Sequence, residues 1–238
     1  MTLPKPEGLL IDYGGTLVEE IGVDARAAAA ALLALASHRP DHATLERVLE
    51  RAERVTTEVA SRRDLYQVET SWPALTHLIY DYFGTRFTEP MEELELVFWK
   101  ASVTTRAMPG AKDALEELRK LRLPIAVLSN SSFGSSVIRY ELGKHHLADH
   151  LSFVMVSAEY AVRKPNPLLM ETAAARLGVR PAGIWCVGDR LDTDVAGARA
   201  AGMTGVLLDP TQGDRSSADL VVGSWAELVQ CVRARLDH

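Results

Sequence analysis

The chain has 238 residues, 47% hydrophobic and 24% charged, with a formal net charge of −6. That is enough apolar material for one large domain or two unequal ones, and the acidic balance excludes an electrostatic attraction to nucleic acid or to an anionic membrane. Cys186 and Cys231 cannot build a multi-bridge framework, and no apolar run reaches membrane-spanning length, so a soluble, cytoplasmic protein with reduced cysteines is expected.

In chain order, Leu9-Leu10-Ile11 reads as a short buried strand that ends in Asp12 and releases into the tight loop Tyr13-Gly14-Gly15-Thr16. From Asp24 to about Ala101 the pattern is helical throughout, and no strand is expected there. Asp24 caps an alanine- and leucine-rich helix that stops before Pro40. Asp41 is expected to cap a second helix, running through Leu45, Val48, Ala52, Val55 and Val59 at helical spacing. Ser71-Trp72-Pro73 starts a third, with an expected apolar face of Ala74, Leu75, Leu78, Ile79 and Tyr82, and Gly84 ends it. A fourth carries Leu94, Val97 and Phe98.

From Met108-Pro109-Gly110 onward, strands and helices alternate. A helix through Ala114, Leu115 and Leu118 precedes the strand Ile125 to Leu128. A helix near Val137 to Leu142 then leads to a strand near Phe153 to Val156. A helix from about Pro167 to Leu177 is followed by the strand Ile184 to Val187, a short helix near Val195 to Ala201 and a strand from Gly205 to Leu208. A surface loop from Gln212 to Ala218 and a closing helix from Trp225 to Leu236 complete the chain. Repeated strand–helix units with short apolar strands predict an α/β fold: a parallel sheet with helices on both faces.

Four stretches fall at strand ends, where open α/β sheets bind ligands. Asp12 ends the first strand, and Gly14 and Gly15 let the backbone approach a ligand closely. Leu128-Ser129-Asn130-Ser131-Ser132 offers a hydroxyl and amides to an anionic oxygen at a helix entrance. Lys164, ahead of Pro165 and Pro167, is held at a rigid helix start; facing Asp12, it would neutralise an incoming phosphate and keep the aspartate ionised. Gly188-Asp189-Arg190-Leu191-Asp192-Thr193-Asp194 crowds three acids into one loop. Like charges so close are costly without a cation, and an all-oxygen donor set suits Mg²⁺.

Together these stretches resemble the haloacid dehalogenase superfamily, on its phosphatase-like branch, and the helical insert resembles that family's C1-type cap. The resemblance implies a Rossmann-like core over residues 1–18 and 106–238 and a helical cap over 19–105. It implies Asp12 as the nucleophile that forms an aspartyl-phosphate, with Ser129 and Lys164 as its catalytic partners. Thr16, Ser129, Asn130 and Lys164 would bind the phosphoryl group. Mg²⁺ would be held by Asp12, the main-chain carbonyl of Gly14, Asp189 and, directly or through water, Asp194. The implied substrate is a small phosphorylated metabolite, handled by a monomer or homodimer with no nucleic-acid or membrane partner.

The chain departs from the family pattern at Gly14, where phosphatases of this type carry an aspartate that protonates the leaving oxygen and then deprotonates water. Such help is worth about 10²–10⁴-fold, so slow turnover is expected unless Glu19, Glu20, Asp64, Tyr66 or Glu69 substitutes. Two other readings follow from the same gap. One is a phospho-ligand binding or regulatory protein without turnover. The other is a metal-independent haloacid dehalogenase, against which the acidic trio argues. Lys100 is the one lysine in the helical insert for Schiff-base chemistry. Arg39, Arg47, Arg51, Arg54, Arg62 and Arg63 are candidates for a substrate carboxylate or second phosphate, or for a wet helix face.

Overall fold

The structure, a computed structural model, describes residues 3–211 and 217–237. At its centre, β1 (Gly8–Ile11) pairs in parallel with β4 (Ile125–Ser129) on one side and β6 (Ile184–Gly188) on the other. With β5 (Val154–Val156), β7 (Thr204–Leu208) and β8 (Leu220–Val222) they form a six-stranded parallel sheet of order β5-β4-β1-β6-β7-β8.

Successive strand residues point to opposite faces. Leu9, Ile11, Val127 and Val187 therefore pack with α5 (Ala111–Lys120), α6 (Ser135–Lys144) and α9 (Trp225–Leu236). Leu10, Ala126, Leu128 and Cys186 pack with α7 (Pro167–Leu177) and α8 (Ala196–Ala200) on the other side. Burial on both faces is why these strands read as continuous apolar runs rather than alternating ones. The strand order reverses at β1, so the crevice of this α/β, Rossmann-like sheet opens at the C-terminal end of β1. Cys186 and Cys231 are both free thiols.

The helical segment comprises α1 (Ala25–Leu35), α2 (Leu45–Tyr66), α3 (Trp72–Tyr80) and α4 (Met91–Ser102), with a core of its own around Leu32, Val48, Trp72, Ile79 and Leu94. Asp24 caps α1, accepting from the Ala27 N–H at 2.9 Å. Thr44, not Asp41, caps α2: its hydroxyl accepts from the Arg47 N–H at 3.4 Å, because helical backbone begins only at Leu45. The buried face of α3 is Trp72, Thr76, Ile79 and Tyr80, a set one helical stripe wide. The expected face shifts accordingly. Leu78 and Tyr82 are 48% and 62% exposed, and Arg51 covers the Tyr82 ring at 4.4 Å.

A two-stranded antiparallel ribbon, β2 (Val18–Val23) with β3 (Val103–Ala107), was not expected. It carries the chain out to the helices and back, and the expected junctions at residues 18/19 and 105/106 both fall within it. Ile21 and Val23 on β2 are exposed, so no buried face announces the strand. β8 was also unanticipated, and residues 212–216 of the expected 212–218 surface loop lie outside the described residues. Among the described residues, no helix is long and apolar enough to cross a membrane.

Candidate active site

The four stretches converge at the C-terminal end of β1. The Asp12 N–H donates to Val187 O at 2.9 Å, which extends the β1–β6 ladder one residue and holds the carboxylate at the sheet edge. Ser129 is the last residue of the neighbouring strand β4. Lys164, in the loop before α7, is only 3% exposed. Its Nζ donates to Asp12 Oδ1 at 2.6 Å, to Asp194 Oδ1 at 2.6 Å and to Leu128 O at 2.9 Å. All three ammonium hydrogens thus have acceptors.

Asn130 holds this lysine from behind. Its Oδ1 accepts from the Lys164 N–H at 2.7 Å and its Nδ2 donates to Lys164 O at 2.9 Å. The side chain expected to bind the phosphoryl group thus clamps the lysine backbone at two points, and Asn130 also lines the cavity beside Asp12. Thr16 is likewise diverted: it is fully buried, and its hydroxyl donates to Asp189 Oδ1 at 3.2 Å. Asp194 sits in the π-helical turn Leu191–Val195, where its Oδ2 accepts from the Arg190 N–H at 3.1 Å.

Two glycines are required by this packing. Gly15 has φ +74°, and a Cβ there would lie 2.4 Å from Asp189 Oδ2. A Cβ on Gly188 would lie 2.2 Å from Asp194 Cγ. Gly14 is different, since a Cβ there meets nothing within 4 Å.

Burial pushes the Asp12 carboxyl up to about 7, with the Asp194 charge adding to it and the Lys164 ammonium opposing it. Against the cost of its own burial, Lys164 is held above the usual lysine range by Asp12 and Asp194. Burial and Asp194 also raise Asp189. One ammonium therefore faces three carboxylates, a local excess of negative charge that a cation would relieve.

The donor set suits a hard divalent ion. Asp12, Asp189 and Asp194 each present an oxygen within 4.8 Å of the others. An ion with bonds of about 2.0–2.1 Å spans at most about 4.2 Å between opposite ligands, so a small inward movement completes the site. Lys164 and the Arg190 N–H already occupy one lone pair on each Asp194 oxygen, which favours a water-bridged role for that residue.

Beside these groups lies a cavity of about 210 Å³ lined by Asp12, Gly14, Ser129, Lys164, Arg163 and Glu20, among others. Thr16 is not on its wall. Of the expected stand-ins for an acid at Gly14, only Glu20 reaches it among the described residues. Glu20, on β2, is solvent-exposed at the cavity edge; partial desolvation of its carboxyl there, with the Glu141 charge, raises its pKa. Glu19 pairs with Arg106 at 2.5 Å, and Tyr66 is 65% exposed. Glu69 is buried and accepts from Arg63 Nε at 2.9 Å and Ser157 Oγ at 2.8 Å. The side chain of Asp64 lies outside the described residues. Lys100 packs its ammonium on the Tyr140 ring at 4.6 Å, off the cavity.

None of Arg39, Arg47, Arg51, Arg54, Arg62 and Arg63 lines this cavity; Arg163 and Arg190 do. Sequence reasoning passed over both. Their adjacency to Lys164 and Asp189 was the available signal.

Residues 6–202 match the family model described as haloacid dehalogenase-like hydrolase. The chain is 32% identical over 162 residues to the ribulose-1,5-bisphosphate 5-phosphatase of Halopiger xanaduensis, covering 64% of this chain and 66% of that protein. It is 32% identical over 157 residues to the phosphoglycolate phosphatase of Chromobacterium violaceum, covering 65% and 64%. Each match thus spans just under two thirds of the curated relative. A solved HAD phosphatase from Thermococcus onnurineus superposes with a TM-score of 0.60 at 20% identity, covering 95% of this chain and 97% of that one, which shows the shared fold.

Proposed function

The chain belongs to the haloacid dehalogenase-like hydrolases, and from that premise we propose that it is a Mg²⁺-dependent phosphomonoesterase of a small phosphorylated metabolite. The observation that carries this reading is the Lys164 ammonium bridging Asp12 and Asp194 at 2.6 Å each, at the mouth of the parallel sheet. The phosphatase names of the curated relatives support it.

In this reading Asp12 attacks phosphorus, the P–O bond to the alcohol breaks, and the alcohol oxygen takes a proton from Glu20. Glu20, now a carboxylate, takes a proton from water, whose oxygen attacks the aspartyl-phosphate; inorganic phosphate leaves and Asp12 is restored. Lys164 keeps Asp12 ionised and oriented, while Asn130 keeps the lysine in place. Ser129 and Arg163 meet the phosphoryl oxygens from the cavity wall. Asp12, the Gly14 carbonyl and Asp189, with Asp194 through water, would hold Mg²⁺, which when bound supplies positive charge against the phosphoryl oxygens.

The test is phosphate release from an aryl phosphate, with Mg²⁺ and with chelator, for the wild type and Asp12→Asn. Magnesium-dependent release that Asp12→Asn abolishes is expected; equal release from both proteins would refute the reading. Gly14 favours a second reading, a phospho-ligand binding protein without turnover. Magnesium-dependent binding of a phosphate mimic with no hydrolysis of any ester would select it.

A further inference from the structure

The site cavity is not closed at its far side. Glu20, Asn130, Ser131 and Arg163 also line a second, larger cavity of about 770 Å³ that runs from the sheet edge into the interior of the helical segment. Its inner wall is largely apolar: the half-buried Ala52, Leu75 and Phe98 line it together with Leu32, Val48 and Ile79 of the buried helical core, so all four helices contribute. Away from the shared gate its only charged side chains are Glu53 and Arg63 among the described residues, and Arg63 is already paired with Glu69 at 2.9 Å. Arg63 also bonds Ser132, and Glu53 sits at an exposed position, so a hydroxy acid finds no uncommitted cation on the inner wall and would leave most of its apolar surface wet. An aliphatic or aromatic alcohol fills it, and a cavity of this size suits a ligand with a sizeable apolar body.

We propose that the phosphomonoester recognised here is that of an apolar alcohol, its phosphoryl group at Asp12 and its hydrocarbon body passing the Glu20–Arg163 gate into the helical cavity. This deepens, and for turnover rests on, the phosphomonoesterase reading. The gate places the ester oxygen at the junction of the two cavities, on whose shared wall Glu20 stands. Size and polarity decide the assignment together. The smaller cavity, lined by Asp12, Lys164, Arg163 and Arg190, suits the charged phosphoryl end, while the larger one offers mostly surface that water solvates poorly.

Two series of n-alkyl compounds, from ethyl to octyl, test this on the intact Mg²⁺-loaded protein. For the phosphate esters, kcat/KM is expected to rise roughly three- to fourfold per added methylene until the cavity is full. For the non-hydrolysable alkyl phosphonates, calorimetric affinity is expected to rise in parallel. Ala52→Trp, which fills the cavity from α2, is expected to flatten both slopes; comparing ratios within each protein removes any difference in the folded fraction. Esters that turn over with no dependence on chain length, or a slope that Ala52→Trp leaves intact, would overturn this proposal alone. Phosphonate affinity that climbs with chain length while no ester is hydrolysed would sustain the apolar subsite and sink the hydrolase reading.

Discussion

Replacing Lys164 with methionine takes one positive charge out of the site while leaving its shape nearly unchanged. In the native protein the ammonium lies 2.6 Å from an oxygen of Asp12 and 2.6 Å from one of Asp194. At an effective dielectric of about 20, each such contact is about 6 kcal/mol of gross attraction. Desolvating three charges offsets most of that, so the pair adds little net stability. Deleting one partner is another matter, because it leaves the desolvation cost uncompensated; the usual loss is about 3–5 kcal/mol. Lys164→Met is therefore expected to lose about 3–5 kcal/mol in urea unfolding near neutral pH in chelator. Without the ammonium, which opposes the effect of burial, the Asp12 pKa rises further. An acid whose folded pKa is raised favours the native state at low pH and costs stability as pH climbs, so the deficit should shrink on acidification. Mg²⁺ should recover part of it, since Asp12, Asp189 and Asp194 converge within 4.8 Å. A loss below about 1 kcal/mol, unaltered by pH and metal, would refute the argument and mean that the ammonium is effectively solvated.

Three further outcomes follow from the same geometry. Gly14→Asp adds a carboxylate where a Cβ meets nothing within 4 Å, so it should fold normally. With Glu20 already serving as the acid, it should raise kcat on alkyl phosphates by well under the roughly 10²-fold that a missing acid would allow; a gain of that size would remove Glu20 from the role. Glu20→Gln should lower kcat by about 10²–10⁴-fold on an alkyl phosphate and much less on an aryl phosphate, whose leaving group needs little protonation; equal losses on both would remove Glu20 from the acid role. Glu95 on α4 is buried and accepts from the Gly134 N–H at 2.9 Å. Burial pushes Glu95 from an ordinary 4.5 up to about 7, with Glu92 and Glu159 adding to the rise. Between those values the unfolded chain has released the proton that the native state keeps, so this contribution is full below about pH 4.5 and is lost by about pH 7. Urea midpoints of wild type and Glu95→Gln at about pH 5 and about pH 8 check this, the variant being relatively more stable at the higher pH.

The parallel sheet was legible because each of its longer strands is apolar on both faces, and the helices because caps and breakers bracket them. α7 and α9 match their expected bounds, Pro167–Leu177 and Trp225–Leu236. The β2–β3 ribbon was not legible. Its strands hide no common face, and their pairing closes over four intervening helices, a relation that no local window contains. For the same reason the buried stripe of α3 was placed slightly wrong: Leu78 and Tyr82 fit the apolar count, and only the neighbouring α2, through Arg51, shows that they face outward.

In the site, the charged residues Asp12, Lys164, Asp189 and Asp194 stood out in the sequence because their charges have no cheap structural explanation so close to buried strands. The diversion of Asn130 to the Lys164 backbone and of Thr16 to Asp189 did not, because a short polar side chain takes whichever partner the fold presents. The larger cavity was equally hidden, as it exists only through the mutual placement of four helices and the loop after β4.

Acid-quenched single turnover tests the central claim most directly. The protein is mixed with excess aryl phosphate and Mg²⁺, quenched within one catalytic cycle and digested for mass spectrometry. The account predicts one phosphoryl group, on the peptide that contains Asp12, formed at the rate of the aryl alcohol burst and absent from Asp12→Asn. Turnover with no phosphorylated peptide, or a phosphoryl group on any other residue, would contradict it.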